Sequence, residues 1–319
     1  MTLHLSNSPQ DIAKAAELLQ QGELVSFATE TVYGLGGNAR DDQAVAGIFE
    51  AKGRPRFNPL IVHFPDRQAA AQEVLFSPMA LELAEAFWPG PLTLVLPRRE
   101  DSRISLLCSA GLDTLAVRVP APETARTLLR MADCPVAAPS ANRAGKISPT
   151  RAEHVMDELS RRIAAVLDDG ACTIGVESTV VSLADERPSL LRPGGLAREE
   201  LENLLGAPLE LPVADSPVAS PGMLRSHYAP QAILRLNATS VGAEEAYLAF
   251  GSEPEDKGKA CFNLSPAGDL REAAANLFAA LRELDRSGIS MIAVAPIPDT
   301  GLGQAINDRL QRAAAPRVT

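Results

Sequence analysis

The sequence predicts an α/β protein in two parts, residues 1–206 and residues 231–319, joined by a proline-rich linker over 207–230. Three observations carry this. Short apolar runs alternate with helix-period segments, the pattern of strands interleaved with helices. Between 207 and 230 the pattern stops, and Pro208, Pro212, Pro217, Pro221 and Pro230 fall without periodicity, as in an extended connection. From Gln231 it resumes with strands over 231–236, 246–250, 260–264 and 289–295 and helices over 270–286 and 302–314. That is a second, smaller α/β domain, and 319 residues suffice for two domains and a large core.

In chain order, Ser8, Pro9 and Asp11 open a helix as cap, first-turn proline and dipole-favoured acid. Ile12, Ala15, Ala16 and Leu19 give it one apolar face, and Gly22 ends it. The apolar run Leu24 to Phe27 leads into a loop over 29–37 dense in hydroxyls and glycine. Asp41 or Asp42 caps the next helix, which Gly53 and Pro55 stop. Lys52, Arg54 and Arg56 cluster at its end, where cations also merely oppose the helix dipole. Asn58-Pro59 turns the chain, and Leu60 to Phe64 reads as a buried strand carrying His63.

Pro65-Asp66 and Ser77-Pro78 each start a helix, and the run Trp88 to Pro91 is a hard stop. Leu92 to Leu96 is a strand, 97–103 a charged loop, and Leu115 to Val119 a strand holding Arg118. Burying that arginine needs an anionic partner; an edge strand aimed at water is the commoner arrangement. A helix over 120–131 and a strand over 136–138 lead into a second loop of hydroxyls, glycine and cations, 139–150. Thr150 with Glu153 has the spacing of a capping box. Ile163 to Leu167 is a strand; Ser178 and Thr179 precede another apolar run, and Arg192 stands beside a Pro-Gly-Gly turn.

Hydrophobic content of 46% and charged content of 22% are those of a soluble globular chain. A net charge of −10 disfavours general nucleic-acid binding, so no stable nucleic-acid complex is expected. Of 30 basic residues only five are lysines, which draws attention to Lys52 and Lys146. Four scattered cysteines and four histidines offer neither a zinc motif nor a disulfide framework, as suits a reducing, cytoplasmic setting. No signal-like N-terminus and no membrane-length apolar run is present, so no membrane role is expected.

Four loops at strand ends thus share one character: 29–37, 52–58, 138–148 and 175–179, joined by Arg118 and Arg192. Backbone donors, hydroxyls and cations at the strand ends of an α/β sheet suit an anion or nucleotide. The familiar nucleotide fingerprints are absent: Gly145-Lys146 is followed by Ile147 rather than Ser or Thr, and GLGG is not G-x-G-x-x-G. There is no nucleophile elbow either.

The wording TETVYGLGGNA, KGRPRFNPL, PGPLTLVL, AVRVP, APSANRAGKISPT, GVESTVVSL and LRPG, in this order, resembles the YrdC-like family of threonylcarbamoyl-AMP synthases. PGMLRSHYAP and GLGQAINDRLQRAA resemble its longer two-domain form, and Ala28 stands where the family usually has proline. The resemblance implies a twisted, open mixed sheet with a concave pocket, followed by a smaller Rossmann-like domain. It implies synthesis of threonylcarbamoyl-AMP from L-threonine, bicarbonate and ATP with release of pyrophosphate. Mg²⁺ would be held mainly by the ATP phosphates rather than by side chains. A partner complex would then transfer the group to tRNA. In-line attack on the α-phosphorus asks for positioning and electrostatics and needs no Ser/His or Cys/His nucleophile.

The resemblance assigns Thr31, His63, Arg118, Ala138 and Ser178 to L-threonine, with Arg118 on its carboxylate. It assigns Arg54, Asn58, Thr114, Ser140, Ser148 and Arg192 to ATP. Lys52, with Arg54 the catalytic pair, would meet the phosphates or bicarbonate. Taken alone, His63 reads as a core histidine, Thr114 as a surface hydroxyl and Ser148 as a helix cap. Residues 221–230 are expected to fold over the ATP as a lid, with Tyr228 and also His227 in contact. An RNA-binding module and a carbamoyltransferase-type maturation protein are the alternatives. Pyrophosphate release separates the first from an enzyme, and dependence on threonine rather than carbamoyl phosphate separates the second.

Overall fold

The computed structural model of the protein describes residues 1–55, 58–211, 227–252, 254–286 and 288–316. Arg56, Pro212, Pro217 and the 221–226 stretch of the expected lid lie outside the described residues. In the larger part the order is β1 (Leu3–Leu5), α1 (Pro9–Gln20), β2 (Val25–Phe27), β3 (Gly34–Asn38), α2 (Asp42–Lys52) and β4 (Ile61–His63). Next come α3 (Arg67–Ala70), α4 (Pro78–Phe87), β5 (Leu92–Pro97), α5 (Leu106–Ser109), β6 (Thr114–Arg118), α6 (Glu123–Ala132) and β7 (Val136–Ala137). Then follow α7 (Ala152–Leu159), β8 (Ala165–Leu167), β9 (Thr179–Ser182), β10 (Ser189–Arg192) and α8 (Arg198–Leu205).

Local chemistry explains the helix ends. Ser8 Oγ accepts from Asp11 N at the start of α1, and Asp41 accepts from Gln43 N and Ala44 N at the start of α2. Gly53, left-handed at φ 63°, closes α2. Asp66 and Ser77 cap α3 and α4. The expected capping box at α7 does not form. Arg151 is the cap residue without a side-chain bond, and the Thr150 N–H goes to His154 Nδ1.

The ten strands form one mixed sheet in the order β1-β8-β2-β3-β7-β4-β6-β5-β9-β10. One further expectation is corrected here, and the edge-strand alternative for Arg118 is set aside. Residues 34–38 are a strand rather than loop, with Gly36 opposite Val25 and Gly37 opposite Ala137. Arg118 is not on an edge: β6 lies between β4 and β5, with His63 opposite Arg118. One face is covered by α1 and α6, whose Leu19, Leu128 and Leu129 pack on Phe27, Val136 and Leu167. On the other, Val45, Ile48 and Leu83 from α2 and α4 pack on Leu35, Leu94 and Val117.

The smaller part comprises β11 (Ile233–Arg235), β12 (Ala246–Ala249), β13 (Ala260–Asn263), α9 (Leu270–Arg286), β14 (Met291–Val294) and α10 (Leu302–Ala314). Its sheet is parallel throughout, in the order β11-β14-β12-β13. Its core of Leu277, Phe278, Ile292, Ile306 and Leu310 is continuous with Val32, Ile147 and Val176 of the larger part and with Tyr228. The two sheets are therefore welded along a seam where the strand-end loops of the larger part emerge. The seam is also ionic: Arg282 of α9 donates to Glu158 of α7 at 2.7 Å, and Arg286 pairs with Asp157.

Candidate active site

The loops of like character do converge. A single pocket is walled by Thr29 and Thr31 after β2, Arg54 after α2, Ala138 and Ser140 after β7, and Glu177 and Ser178 before β9. Its floor is His63 and Arg118, side by side on β4 and β6, and Arg192 closes one end of β10. His227 and Tyr228 complete the wall from the end of the linker.

Arg118 is 4% exposed and its charge is matched by Glu30, which the sequence reading overlooked. Nη2 donates to Glu30 Oε1 at 2.7 Å, Nη1 to Thr31 Oγ1 at 2.9 Å and Nε to Gly90 O at 3.2 Å. A guanidinium has five N–H donors. Two of those on Arg118 are thus uncommitted among the described residues. Glu30 is itself steadied, its Oε2 accepting from Ala121 N. Beside Arg118, burial foremost and the guanidinium second push the His63 imidazole down to about 3, so it is neutral at pH 7.

Arg192 donates to Ser178 O at 2.8 Å and to Ser178 Oγ at 3.2 Å, and that hydroxyl also meets Thr93 Oγ1 at 2.7 Å. Arg54 Nη2 donates to Pro59 O at 3.1 Å, while its Nε and Asn58 Oδ1 lack hydrogen-bond partners among the described residues. Burial lowers the Arg54 guanidinium to about 10, which leaves it charged at pH 7. Unsatisfied buried groups are costly. Three of those unpartnered among the described residues, Arg54 Nε and the Nδ1 atoms of His63 and His227, belong to residues that line the one pocket, which marks it as built for a polar ligand.

Lys52 sits differently from the rest. Its Nζ donates to Ser140 O and Asn142 O, each at 2.5 Å, and does not line the pocket. Burial and then Arg54 lower its ammonium well below the usual lysine value. Asn142, a second residue the sequence reading missed, accepts from Ser140 Oγ at 2.6 Å and donates to Lys146 O. Lys52 and Asn142 together fix the 138–148 loop. Ser148 is set back, donating to Glu177 Oε1 at 2.6 Å. Thr114 lies at the other end of β6 from Arg118, opposite Pro97 of β5. Neither Ser148, Asn58 nor Thr114 lines the pocket.

Glu177 is the one carboxylate lining the pocket among the described residues. Burial would raise it, but Arg309, Arg192 and the Ser148 hydroxyl outweigh burial and hold it at about 2. Tyr228 adopts φ 62° and stacks on Phe278 at 5.4 Å, and burial raises its phenol to about 12. No group of three or more His, Cys, Asp or Glu among the described residues is disposed to hold a metal ion. Nor is any described helix long and apolar enough to cross a membrane.

Residues 17–194 match the family described as telomere recombination, which groups Sua5, YciO and YrdC. Residues 196–315 match the family described as threonylcarbamoyl-AMP synthase, C-terminal domain. The threonylcarbamoyl-AMP synthase of Bacillus subtilis is 43% identical over 100% of this chain and 97% of its own length. That of Pyrococcus abyssi is 42% identical over 95% of this chain and 94% of its own. A crystal structure of P. abyssi Sua5 complexed with L-threonine superposes with a TM-score of 0.89 at 40% identity, covering 98% of this chain and 97% of that one. Two family matches in tandem and full-length likeness in sequence and fold agree: the chain belongs to the threonylcarbamoyl-AMP synthase family, in its two-domain form.

Proposed function

We propose that the chain joins L-threonine, bicarbonate and ATP into threonylcarbamoyl-AMP with release of pyrophosphate, the activated intermediate for threonylcarbamoyladenosine in tRNA. The observation that carries this reading is one pocket pairing an arginine-and-hydroxyl floor with a rim of further arginines. An amino-acid carboxylate suits the two spare N–H donors of Arg118, with Thr31, Ala138, Ser178 and neutral His63 around it. A triphosphate suits the Arg54 and Arg192 end, with Ser140 and Tyr228 beside it and Asn58, Thr114 and Ser148 behind. Lys52 and Asn142 act by holding Ser140 in place.

The chemistry balances simply. The threonine amine takes up bicarbonate with loss of water to give an N-carboxylate. One oxygen of that carboxylate attacks the α-phosphorus, and the bond to the pyrophosphate bridging oxygen breaks. The cations stabilise charge that grows on the leaving pyrophosphate. The residues present do not make a metal cage, since Glu177 already serves Arg309 and Ser148. Mg²⁺ belongs to this reading only as the companion of the ATP phosphates, lowering their charge. A separate transfer complex acting on tRNA would consume the product.

The test is pyrophosphate release with each substrate omitted in turn. Release is expected only when threonine, bicarbonate, ATP and Mg²⁺ are all present. Equal release with serine, or with no amino acid, overturns the assignment.

A further inference from the structure

The C-terminal motif over residues 301–314 has no part in the chemistry described so far. Arg309 gives it one. This side chain sits in α10, in the smaller sheet's domain, and is 0% exposed. Burying a guanidinium is costly unless its charge is matched. Arg309 Nε donates to Glu177 Oε2 at 2.8 Å and Nη1 to Asp308 Oδ2 at 2.6 Å. Its guanidinium carbon stands 5.3 Å from the centre of the Tyr228 ring, within cation–π range. Glu177 and Tyr228 both line the pocket, so one buried side chain from α10 braces two of its walls.

We infer that Arg309 is a positioning residue for the nucleotide site, cancelling the charge of Glu177 and fixing the Tyr228 ring, and that this is what the smaller domain contributes to the reaction. The inference rests on the reading of the pocket as an ATP site. Glu177 lines the pocket that would hold an anionic substrate, and repulsion between like charges grows as the dielectric falls. Arg192 also acts on Glu177, to a smaller extent than Arg309, while donating to Ser178. Ser148 donates a hydrogen bond and no charge. Without Arg309 the pocket wall would carry a carboxylate, offset in part by Arg192, against a triphosphate.

A purely architectural Arg309, pinning α10 to the larger domain, makes a different prediction. Under that account stability falls and the two ligands weaken together, and removal of Glu177 restores stability without favouring ATP. Under the charge account the loss falls on ATP, and removal of Glu177 relieves it there. The measurements are calorimetric binding of a non-hydrolysable ATP analogue and the separate KM values for ATP and threonine, all in the full chain. Arg309→Gln should weaken analogue binding by about tenfold or more, with threonine KM moving less than about threefold. Adding Glu177→Gln to that variant should recover most of the lost affinity.

A double variant binding no better than Arg309→Gln overturns the inference, as does equal loss for ATP and threonine. Should Arg309→Gln fail to fold, the double variant Arg309→Gln with Glu177→Gln decides. With no carboxylate left to cancel, its analogue affinity should stay within about threefold of the unsubstituted protein, and a folded double variant that loses tenfold overturns the proposal. If the unsubstituted protein binds the analogue but releases no pyrophosphate, the proposed reaction fails while binding still decides the role of Arg309. If it does not bind the analogue, both fall.

Discussion

Arg118 spends three N–H donors on fixed acceptors and keeps two, so its fork is already aimed before any ligand arrives. A lysine in its place keeps charge and loses that geometry. Arg118→Lys should therefore raise the threonine KM by about tenfold or more and the ATP KM far less; the reverse pattern would move Arg118 to the nucleotide end. Arg54→Ala, by the same logic, should cost about 1.5–3 kcal/mol in ATP binding or transition-state stabilisation, and unchanged kinetics in a folded variant would reduce Arg54 to a helix-end charge. The buried histidines set a pH dependence. His63 and His227 are each pushed to about 3, burial being the main cause, whereas an unfolded histidine takes its proton near 6.5. Between those values the unfolded chain binds more protons, so stability falls as pH falls. Glu177, held at about 2 by its arginines against burial, stays ionised and flat over the upper part of that window. From pH 7 to 5 each histidine should cost about 1–2 kcal/mol of stability. Urea unfolding at the two pH values checks this, and His63→Gln with His227→Gln should reduce the slope, leaving the share of His154, which burial foremost pushes down to about 4. At this scale the sequence disclosed the costly residues but not their partners. An arginine inside an apolar strand is conspicuous, yet Glu30 lies 88 residues from Arg118 and Glu177 lies 132 from Arg309. No local pattern links such pairs.

Helices with a side-chain cap and a glycine or proline stop were legible because their signals are local, as at α1, α2 and α4. β3 was not. Its Gly36 and Gly37 have no side chains to show alternation, and they are glycine because the sheet leaves no room. A Cβ on Gly36 would meet Val136 Cγ1 at 2.9 Å and one on Gly37 would meet Ile48 Cδ1 at 3.1 Å. The capping box at α7 failed because His154 supplied a nearby nitrogen and took the backbone N–H. Lys52 shows how an element can serve the site from behind. It ends α2 and ties it to the 138–148 loop through two carbonyls. Lys52→Met keeps the length and apolar stem but strands both acceptors in a buried place. About 1–3 kcal/mol of stability should be lost per stranded group, with turnover falling alongside. If instead turnover falls while the melting temperature holds, the ammonium acts on substrate rather than on the loop.

The division into two sheets was visible in the sequence, since the proline-rich stretch interrupts the strand–helix alternation. That the two would share one core was not, because Val32, Ile147 and Val176 read as loop residues and only the fold carries them to α9. The tightest point of the seam is Gly175, two residues before Glu177. It takes φ +76°, and a Cβ there would lie 2.5 Å from both Ala274 O and Ala275 Cα. Neither obstacle is the end of a flexible side chain, so both the conformation and the contact forbid a larger residue. Gly175→Ala must push α9 outward, and α9 shares its core with α10, which carries Arg309. The expected result is a loss of about 2–4 kcal/mol in stability, from overpacking and from alanine at positive φ together. The loss should fall unevenly on function: ATP affinity drops, because Arg309 retreats from Glu177 and Tyr228, while threonine binding at Arg118 persists. Threonine titration, ATP-analogue titration and thermal unfolding of the one variant separate these effects. Equal weakening of both ligands would mean that the seam supports the pocket as a whole, and unchanged ATP affinity would mean that α10 can move without the nucleotide site following it.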